Sequence, residues 1–364
     1  MGVVYMDILT NILSGLVGVL LAVLFDEPLR SIKLRSVGQA KSFFRSKKPI
    51  PIPENFSIGS IKTSFLIIDG DGDMEYTPKT LICRTENKEV ELPSEILELR
   101  DRIEKREKEK EANGLPRQWN GPLLALDRYA IERTVPYEYL EVILTFRHTD
   151  YFTFQATVLS LDTNLARGSG AVLTLRQKYL NGHNYSEPIT FLANGIGIVL
   201  VIITKDKKVI FSHRNTTVGA RAGEIDVSVV EGIHPLHDRA IDHSGPDLFR
   251  TAIRGAQEEV GIELLQSDIT FLGFGVDIEY YQWNIIGLAH ISKTAQQAVE
   301  DRNRGTGGKW ETRKFEMIDF NPKTVFNYLK SHKMWSPGWV AIYWALVHEW
   351  GKKKVNVAVK EIIV

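Results

Sequence analysis

The sequence predicts an α/β protein that is preceded by a β-rich extension and a single N-terminal transmembrane helix. Residues 8–25, eighteen in all, contain no charged side chain. Residues 195–204 form a β-branched, apolar run of the kind found in buried strands. Residues 254–262 and 322–350 indicate helices that follow such strands. Together these patterns predict strands and helices mixed in one fold, attached to a membrane.

The N-terminal apolar segment is the strongest membrane signal in the chain. A helix over residues 8–25 rises about 27 Å, close to the hydrocarbon thickness of a bilayer. Residues 1–7 contain no Lys or Arg, whereas residues 26–50 are rich in both. A secretory signal peptide places its basic region first; a buried core helix is the other alternative. The charge asymmetry predicts a single-pass protein of the cell inner membrane with a cytoplasmic C-terminal domain.

One stripe of the predicted membrane helix carries small residues. Ser14, Gly18 and Ala22 are four residues apart and therefore share a helix face. This spacing lets transmembrane backbones approach closely, which favours a homo-oligomer. The alternative is that small residues are simply common in membrane helices.

Composition limits the classes of partner. Lys plus Arg and Asp plus Glu both total 45, so no overall charge favours binding to a nucleic acid duplex. The single cysteine, Cys83, excludes an internal disulfide and suits a reducing cytoplasm. The predicted organisation is a non-cytoplasmic N-terminus (1–7), a transmembrane helix (8–25), a basic juxtamembrane linker (26–50), a β-rich extension with a charged helix (51–190) and a second domain (191–364).

The extension and the C-terminal domain each show a run of predicted elements. Extension strands are predicted over residues 64–69, 79–84, 140–147 and 151–159, with a helix over 94–113 that Ser94 caps. In the C-terminal domain, strands are predicted over 195–204, 209–214, 269–276 and 283–291, and closing helices over 322–329 and 337–350. The extension is expected to pack on the C-terminal domain.

Residues 254–262, RGAQEEVGI, carry the clearest functional motif. They closely resemble the core of the Nudix box, R-E-U-x-E-E-x-G-U with U aliphatic, except that Gly255 stands where the family has Glu. The resemblance implies a Nudix-like α/β/α sandwich and a Mg²⁺-binding helix that hydrolyses nucleoside diphosphate derivatives. Positions 255, 258 and 259 share one helix face, so Glu258 and Glu259 would remain as an incomplete metal-binding or catalytic set.

The first half of the box is interrupted. In the family a Gly lies fourteen residues before the Arg with a Glu between them, whereas Gly232 lies twenty-two residues before Arg254. The insertion, residues 233–246, is read as a polar surface loop rather than a ligand or metal loop, because it has no full zinc pattern; its His and Asp residues are His234, His237, Asp238, Asp242 and His243. The resemblance also suggests nucleotide contacts from Arg214, Arg254, Tyr280 and Trp310, although Tyr280 can equally be a plain surface aromatic.

The order of a membrane helix and an altered Nudix box resembles the membrane-Nudix effectors of bacterial cyclic-oligonucleotide antiphage (CBASS) systems. The resemblance implies that a nucleotide second messenger, made by a partner cyclic-oligonucleotide synthase, binds the cytoplasmic domain and drives oligomerisation and disruption of the inner membrane. The altered box predicts binding without hydrolysis. One alternative is a membrane-tethered Nudix hydrolase in which Glu231, Asp226 or an acid of the loop supplies the missing function. A scaffold without nucleotide affinity is another.

Overall fold

The computed structural model describes residues 55–364 apart from 116, 135–138, 166–172, 215–220, 222, 243 and 305–311. The predicted transmembrane segment, with Ser14, Gly18 and Ala22, and the basic linker lie outside the described residues, as do His243 and Trp310. Within the described part of the chain, no helix is long and apolar enough to cross a bilayer. The transmembrane helix therefore stays a prediction.

The described chain is a mixed arrangement of strands and helices. The strands are β1 (Ser57–Ile58), β2 (Ile61–Lys62), β3 (Phe65–Gly70), β4 (Leu81–Glu86), β5 (Pro122–Thr134), β6 (Tyr139–Asp150), β7 (Ile196–Ile203), β8 (Lys208–Arg214), β9 (Ile225–Asp226), β10 (Val229–Gly232), β11 (Ile269–Asp277), β12 (Gln282–His290) and β13 (Thr312–Asp319). The α-helices are α1 (Ser94–Ala112), α2 (Tyr151–Ala156), α3 (Leu248–Gly255), α4 (Ala295–Arg304), α5 (Pro322–Leu329), α6 (Ser336–Trp350) and α7 (Lys352–Ile362). The α/β class is thus confirmed.

The central sheet runs in the order β13-β8-β7-β12-β11-β3. β7 and β12 are parallel, and the other neighbours in this order are antiparallel. The four strands predicted for the C-terminal domain are confirmed. β3, which belongs to the predicted extension, pairs with β11, so the extension and the C-terminal domain share this sheet.

Strand β7 explains why its sequence is apolar without alternation. All eight of its residues are buried. Ile198, Leu200 and Ile202 join the core that contains α3, whereas Val199, Val201 and Ile203 join the core that contains α6. Successive side chains of a strand point to opposite faces, and both faces of this sheet are covered by helices. The central sheet therefore separates two hydrophobic cores.

The sheet divides along one edge of β7. The N-terminal half of β7 pairs with β10, and its C-terminal end pairs with β8. The buried Ser228 lies where they separate: its Oγ accepts a hydrogen bond from the Ile202 amide at 2.8 Å and donates one to the Ile210 carbonyl at 2.7 Å. The division leaves the end of β8 and the short strands β9 and β10 free to carry polar side chains.

The extension forms a second sheet in the order β4-β6-β5. The predicted strand over residues 151–159 is wrong: this segment forms α2 and a 3₁₀ turn, Val158–Ser160. Asp150 caps α2 by accepting a hydrogen bond from the Thr153 amide at 2.8 Å. Because all six residues of α2 are buried, its sequence shows no helical alternation and resembles a buried strand. Strand β5 was not predicted.

Helix α1 is present, but Ser94 does not cap it. The capping position is Pro93, and no side chain bonds the first turn. The Ser94 Oγ instead contacts the Glu95 carboxylate at 3.4 Å. The apolar residues Ile96, Leu99 and Ile103 are buried, so it is the hydrophobic face of α1 that fixes its position.

Candidate functional site

The helix that carries the Nudix-like motif has two parts. α3 begins after Asp247, whose carboxylate accepts hydrogen bonds from the Phe249 and Arg250 amides. The helix continues beyond Gly255 as a π-helical turn, Ala256–Val260, and ends at Gly261 with a φ of 74°. A left-handed residue of this kind is a common helix terminator, and Gly adopts it without strain. The turn places both Glu258 and Glu259 beside strand β10.

The position of the missing carboxylate is occupied by another acid. A Cβ atom built on Gly255 would lie 2.6 Å from the Cβ of Glu231, 2.9 Å from its Cγ and 2.8 Å from Cγ1 of Val229. Real Cβ atoms essentially never approach other atoms this closely. Glu231 of β10 therefore fills the space that a side chain at position 255 would need. Gly255 is required here by packing, and an acid from the neighbouring strand stands in that space.

Arg254 forms the centre of an ion-pair network. Its guanidinium binds both carboxylate oxygens of Asp238, at 2.9 and 2.7 Å. It also lies 3.2 Å from Glu231 and 3.3 Å from Glu258, and donates to the Gly232 carbonyl at 2.7 Å. Only 14% of the Arg254 side chain is exposed and only 1% of Asp238. An ion pair that uses both carboxylate oxygens and is buried has a specific geometry. The contacts of Arg254 therefore stabilise the arrangement of the motif residues.

The remaining box acids are also used by internal contacts. Glu259 accepts hydrogen bonds from the Val230 amide at 3.2 and 3.3 Å. Glu231 accepts one from the Gly232 amide at 2.9 Å. Among the described residues, no group of three or more His, Cys, Asp or Glu side chains is arranged to hold a metal ion. The donors that a magnesium site would need are turned toward Arg254 and strand β10, and this arrangement does not fit the ion.

The insertion is more than a surface loop. Asp238, within it, is fully buried, so the prediction of a plain polar loop is wrong at this residue. It is an acid between Gly232 and Arg254, the interval in which the resemblance would place a Glu, and it pairs with Arg254. A search for any acid in this interval would have included it. The rings of His234 and His237 contact each other at a tilt of 41°, with centroids 4.2 Å apart, and burial lowers the pKa of His234 to about 4.

The far end of the insertion docks on the extension. The Thr85 amide of β4 donates to the Ser244 carbonyl at 2.7 Å. A Cβ on Gly245 would lie 2.7 Å from the Cys83 carbonyl oxygen, so the two backbones are in close contact. The insertion thus connects Arg254 at one end with the extension sheet at the other.

A second polar cluster lies at the end of β8 and contains Arg214. Arg214 and Arg221 bind the two oxygens of the buried Asp226, at 3.3 and 2.7 Å. The Arg221 guanidinium lies 4.6 Å from the centre of the Trp335 ring, a cation–π arrangement. The half-buried Tyr280 is close enough for the charge of Arg221 to act on it, and burial raises its pKa to about 12.

The two clusters are separate. In the described residues, ion pairs join Arg254 to Asp238, Glu231 and Glu258, and join Arg214 and Arg221 to Asp226. The structure thus brings Arg214 and Tyr280 toward one place and leaves Arg254 in another. Arg221 and Trp335 were not predicted as site residues, because an Arg in a loop and a Trp at the start of a helix form no sequence pattern that indicates their contact.

Burial changes the proton affinity of two acids near these clusters. Burial raises the pKa of Glu231 to about 7; the attraction of Arg254 opposes the rise and the nearby Glu258 adds to it. Burial likewise raises the pKa of Asp277 to about 6, although Ser64 and the Trp335 indole donate hydrogen bonds to it.

We predict that Glu231→Gln reduces the pH dependence of stability between about pH 5 and pH 7. The pKa of Glu231 is higher in the folded than in the unfolded state, so in this interval the folded chain holds a proton that the unfolded chain has lost. Although His234, whose pKa is lowered to about 4, contributes with the opposite sign in both proteins, the contribution of Glu231 to the free energy of unfolding falls as the pH rises through the interval. Asp277 contributes with the same sign and remains in the variant. Urea unfolding across this interval measures the slope, and equal slopes in both proteins would contradict the assignment.

Comparison with known proteins gives structural likenesses only. No protein-family model and no curated protein matches the chain. Three solved structures are similar over part of it. DR0079 from Deinococcus radiodurans is 12% identical over 40% of this chain and 78% of its own, with a TM-score of 0.29. The Nudix domain of Shewanella oneidensis NrtR, in complex with ADP ribose, is 14% identical over 46% of this chain and 94% of its own, with a TM-score of 0.31. A MutT/Nudix family protein from Enterococcus faecalis is 13% identical over 51% of this chain and 73% of its own, with a TM-score of 0.31.

Proposed function

We propose that this chain is a membrane-anchored effector whose Nudix-like domain binds a nucleotide second messenger without hydrolysing it. The observation that carries the proposal is the occupation of the Gly255 position by Glu231. This leaves Glu258 and Glu259 as the only acids of the motif helix. Glu258 is paired with Arg254, and Glu259 accepts a hydrogen bond from the Val230 amide. A site whose acids stabilise the fold in this way supports ligand binding better than metal-dependent turnover.

The Arg214–Arg221–Tyr280 cluster is the proposed nucleotide site. The guanidiniums of Arg214 and Arg221 meet at one carboxylate, Asp226, close to the half-buried ring of Tyr280. A phosphate pairs well with the planar fork of Arg, and a base stacks on an aromatic ring such as Tyr280. A phosphate would compete with Asp226 for both arginines, so binding would rearrange the loop that carries Arg221.

The membrane output follows from the predicted N-terminal helix and the resemblance to CBASS effectors. A cyclic oligonucleotide from a partner synthase would bring cytoplasmic domains together as a homo-oligomer and raise the effective concentration of the membrane helices. Ser14, Gly18 and Ala22 then supply the close-packing stripe in the inner membrane.

The direct test is calorimetry of the full-length protein in detergent against cyclic dinucleotides, cyclic trinucleotides and linear dinucleotides. Arg221→Ala should weaken binding at least tenfold if the cluster holds a phosphate, since one charge-assisted hydrogen bond contributes about 1.5–3 kcal/mol. Arg250→Ala is the matched control, because Arg250 lies on α3 and its pairing with Asp247 is loose, at 3.8 Å. No binding by any nucleotide in the wild type would favour the scaffold instead.

A membrane-tethered hydrolase is the second candidate, and the Glu231 carboxylate favours it. Glu231 stands where the family's acid would stand, and its pKa of about 7 suits a group that accepts a proton near neutral pH. In this alternative, Glu258 and Glu259 would have to leave Arg254 and Val230 to bind Mg²⁺.

We predict no appreciable hydrolysis of nucleoside diphosphate derivatives with Mg²⁺ or Mn²⁺. Product analysis by chromatography checks this over a panel of such compounds. Turnover that disappears in Glu259→Gln and rises with pH through about 7, as Glu231 loses its proton, would decide for the hydrolase. Glu263→Gln, beyond the motif helix, is the control that should leave any such activity unchanged.

A further inference from the structure

We infer that the exposed face of α7 is a docking surface for anionic lipid headgroups. This α7 face consists of Lys352, Lys353, Lys354, Val357, Lys360 and Glu361, all of which are exposed. The opposite face, with Val355, Ala358, Val359 and Ile362, is buried against the protein core. The helix is therefore fixed on the domain and can offer its outer face to a surface without leaving its place.

The charge of this face is a local excess. The chain as a whole has a net charge of zero, yet these four lysines lie within nine residues of sequence (352 to 360). Within the described residues, none of the four lies within ion-pair distance of a carboxylate, whereas Lys323 nearby is paired with Glu361 at 2.7 Å. The one acid of α7, Glu361, is paired with Lys323, so the four lysines leave the α7 face with an excess of positive charge that is available to an anionic partner.

The first turn of α7 carries lysines, which is unfavourable for the stability of the helix. The first turn of a helix favours acids, because the amide groups there leave a partial positive charge. α7 has no acid in its first turn and no side-chain cap, and it places Lys352, Lys353 and Lys354 there. The lysines and the amide ends therefore add to one positive field that points out of the domain.

An aromatic residue borders the face. Trp350 is 37% exposed, its indole N–H donates to the Phe320 carbonyl at 3.1 Å, and the Lys354 ammonium lies 3.9 Å from its ring centre. Tryptophan beside lysines is typical of protein surfaces at the headgroup level of a membrane. The face contains a single exposed aliphatic residue, Val357, so it would rest on headgroups by charge instead of entering the acyl chains.

The described chain begins beside α7. The Phe56 ring lies 5.4 Å from that of Tyr343, whose hydroxyl donates to Asn356 of α7 at 2.8 Å. The Ser60 amide donates to the Ile363 carbonyl at 3.3 Å. The basic segment 26–50 and the proposed membrane helix precede Phe56, so the chain coming from the bilayer reaches the domain at this helix. In this respect the inference rests on the proposed membrane anchor; the charge and exposure of the face do not.

Energy transfer tests the docking on the full-length chain. A donor dye is attached at Val357→Cys in a Cys83→Ala background, and the protein is reconstituted in vesicles with an acceptor dye on the lipid headgroups. Transfer should be high with phosphatidylglycerol, low with phosphatidylcholine alone, and reduced by salt. Each lysine contributes about fivefold to association with an anionic surface, so Lys352→Glu, Lys353→Glu and Lys354→Glu together should weaken docking on the order of a hundredfold.

The control variant reverses three exposed lysines elsewhere, Lys79→Glu, Lys105→Glu and Lys205→Glu, which changes the net charge equally. Equal transfer on both lipids, or an equal loss in the control, overturns the inference. Carbonate extraction of the same vesicles reports on the anchor: release of the protein refutes the membrane helix, while salt-sensitive transfer would still support the α7 face. Nucleotide calorimetry on the α7 variant should be unchanged, because the face is not part of the Arg214–Arg221–Tyr280 cluster.

Discussion

Arg254→Ala is expected to lower the free energy of unfolding by about 3–5 kcal/mol, the usual loss when one partner of a buried ion pair is removed. The buried Asp238 would keep its charge without a cation and would also lose two hydrogen bonds, whereas the pKa of Glu231 would rise further and this acid would take up a proton. Urea denaturation followed by tryptophan fluorescence measures the loss at neutral pH. The loss should shrink in acid, where the uncompensated carboxylates take up protons.

Arg250→Ala is the matched control for this prediction. It lies on the same helix, but its side chain is 44% exposed and 3.8 Å from Asp247, so the expected loss is below about 1 kcal/mol. Arg254→Lys keeps one charge and cannot bind both oxygens of Asp238, so an intermediate loss is expected. If Arg254→Ala is no more destabilising than Arg250→Ala, the network around Arg254 does not hold the motif helix.

The same variant tests the link between the motif helix and the extension. The insertion carries Asp238 near one end and bonds the Thr85 amide through the Ser244 carbonyl at the other. Release of Asp238 should therefore raise hydrogen exchange at Thr85 more than at Leu144 of β6, which lies inside the same sheet. Such a change would show that an event at Arg254 reaches the sheet of the extension.

Much of the central sheet could be predicted from the sequence, because its strands are long and β-branched. The run over residues 195–204 is buried on both faces and bounded by a charged turn, so its pattern left little choice. The prediction of a strand over residues 151–159 was wrong, although this segment is buried like the run over residues 195–204. The side chains of residues 151–159 are nearly all buried, and burial on every side removes the periodicity that separates a helix from a strand.

The site was less predictable than the fold because its contacts join distant parts of the chain. The motif showed that Gly255 replaces an acid, but not that Glu231, twenty-four residues earlier, fills its space. Arg221 and Trp335 are more than a hundred residues apart and meet only because β9 and the start of α6 adjoin. Residue type and spacing carry no information on such pairs.

Gly255→Glu is expected to destabilise the protein by about 1–3 kcal/mol or more, although it restores the sequence of the Nudix box. The new Cβ would overlap the Cβ of Glu231 and press on Val229, whose side chain can turn away. The new carboxylate would also enter a site that already holds Glu231, Glu258 and Asp238 around one arginine. Urea unfolding measures the loss, and Gly232→Ala is the control, since a Cβ there meets no atom within 4 Å.

The exchange variant Gly255→Glu with Glu231→Gly should recover most of this stability, because it removes the Glu231 atoms that the new side chain meets, leaves only the contact with Val229 and keeps the number of acids constant. The coupling between the two positions should therefore be about 1–3 kcal/mol in a double-mutant cycle. The exchange also puts three carboxylates on the motif helix, at positions 255, 258 and 259, where hard cations prefer such oxygen ligands. We expect it to gain Mg²⁺-dependent hydrolysis of a nucleoside diphosphate derivative that the wild type lacks, and Glu259→Gln in the exchanged protein should abolish that gain. A single Gly255→Glu variant as stable as the wild type would show that Glu231 does not fill the position, and the explanation for the altered box would have to be abandoned.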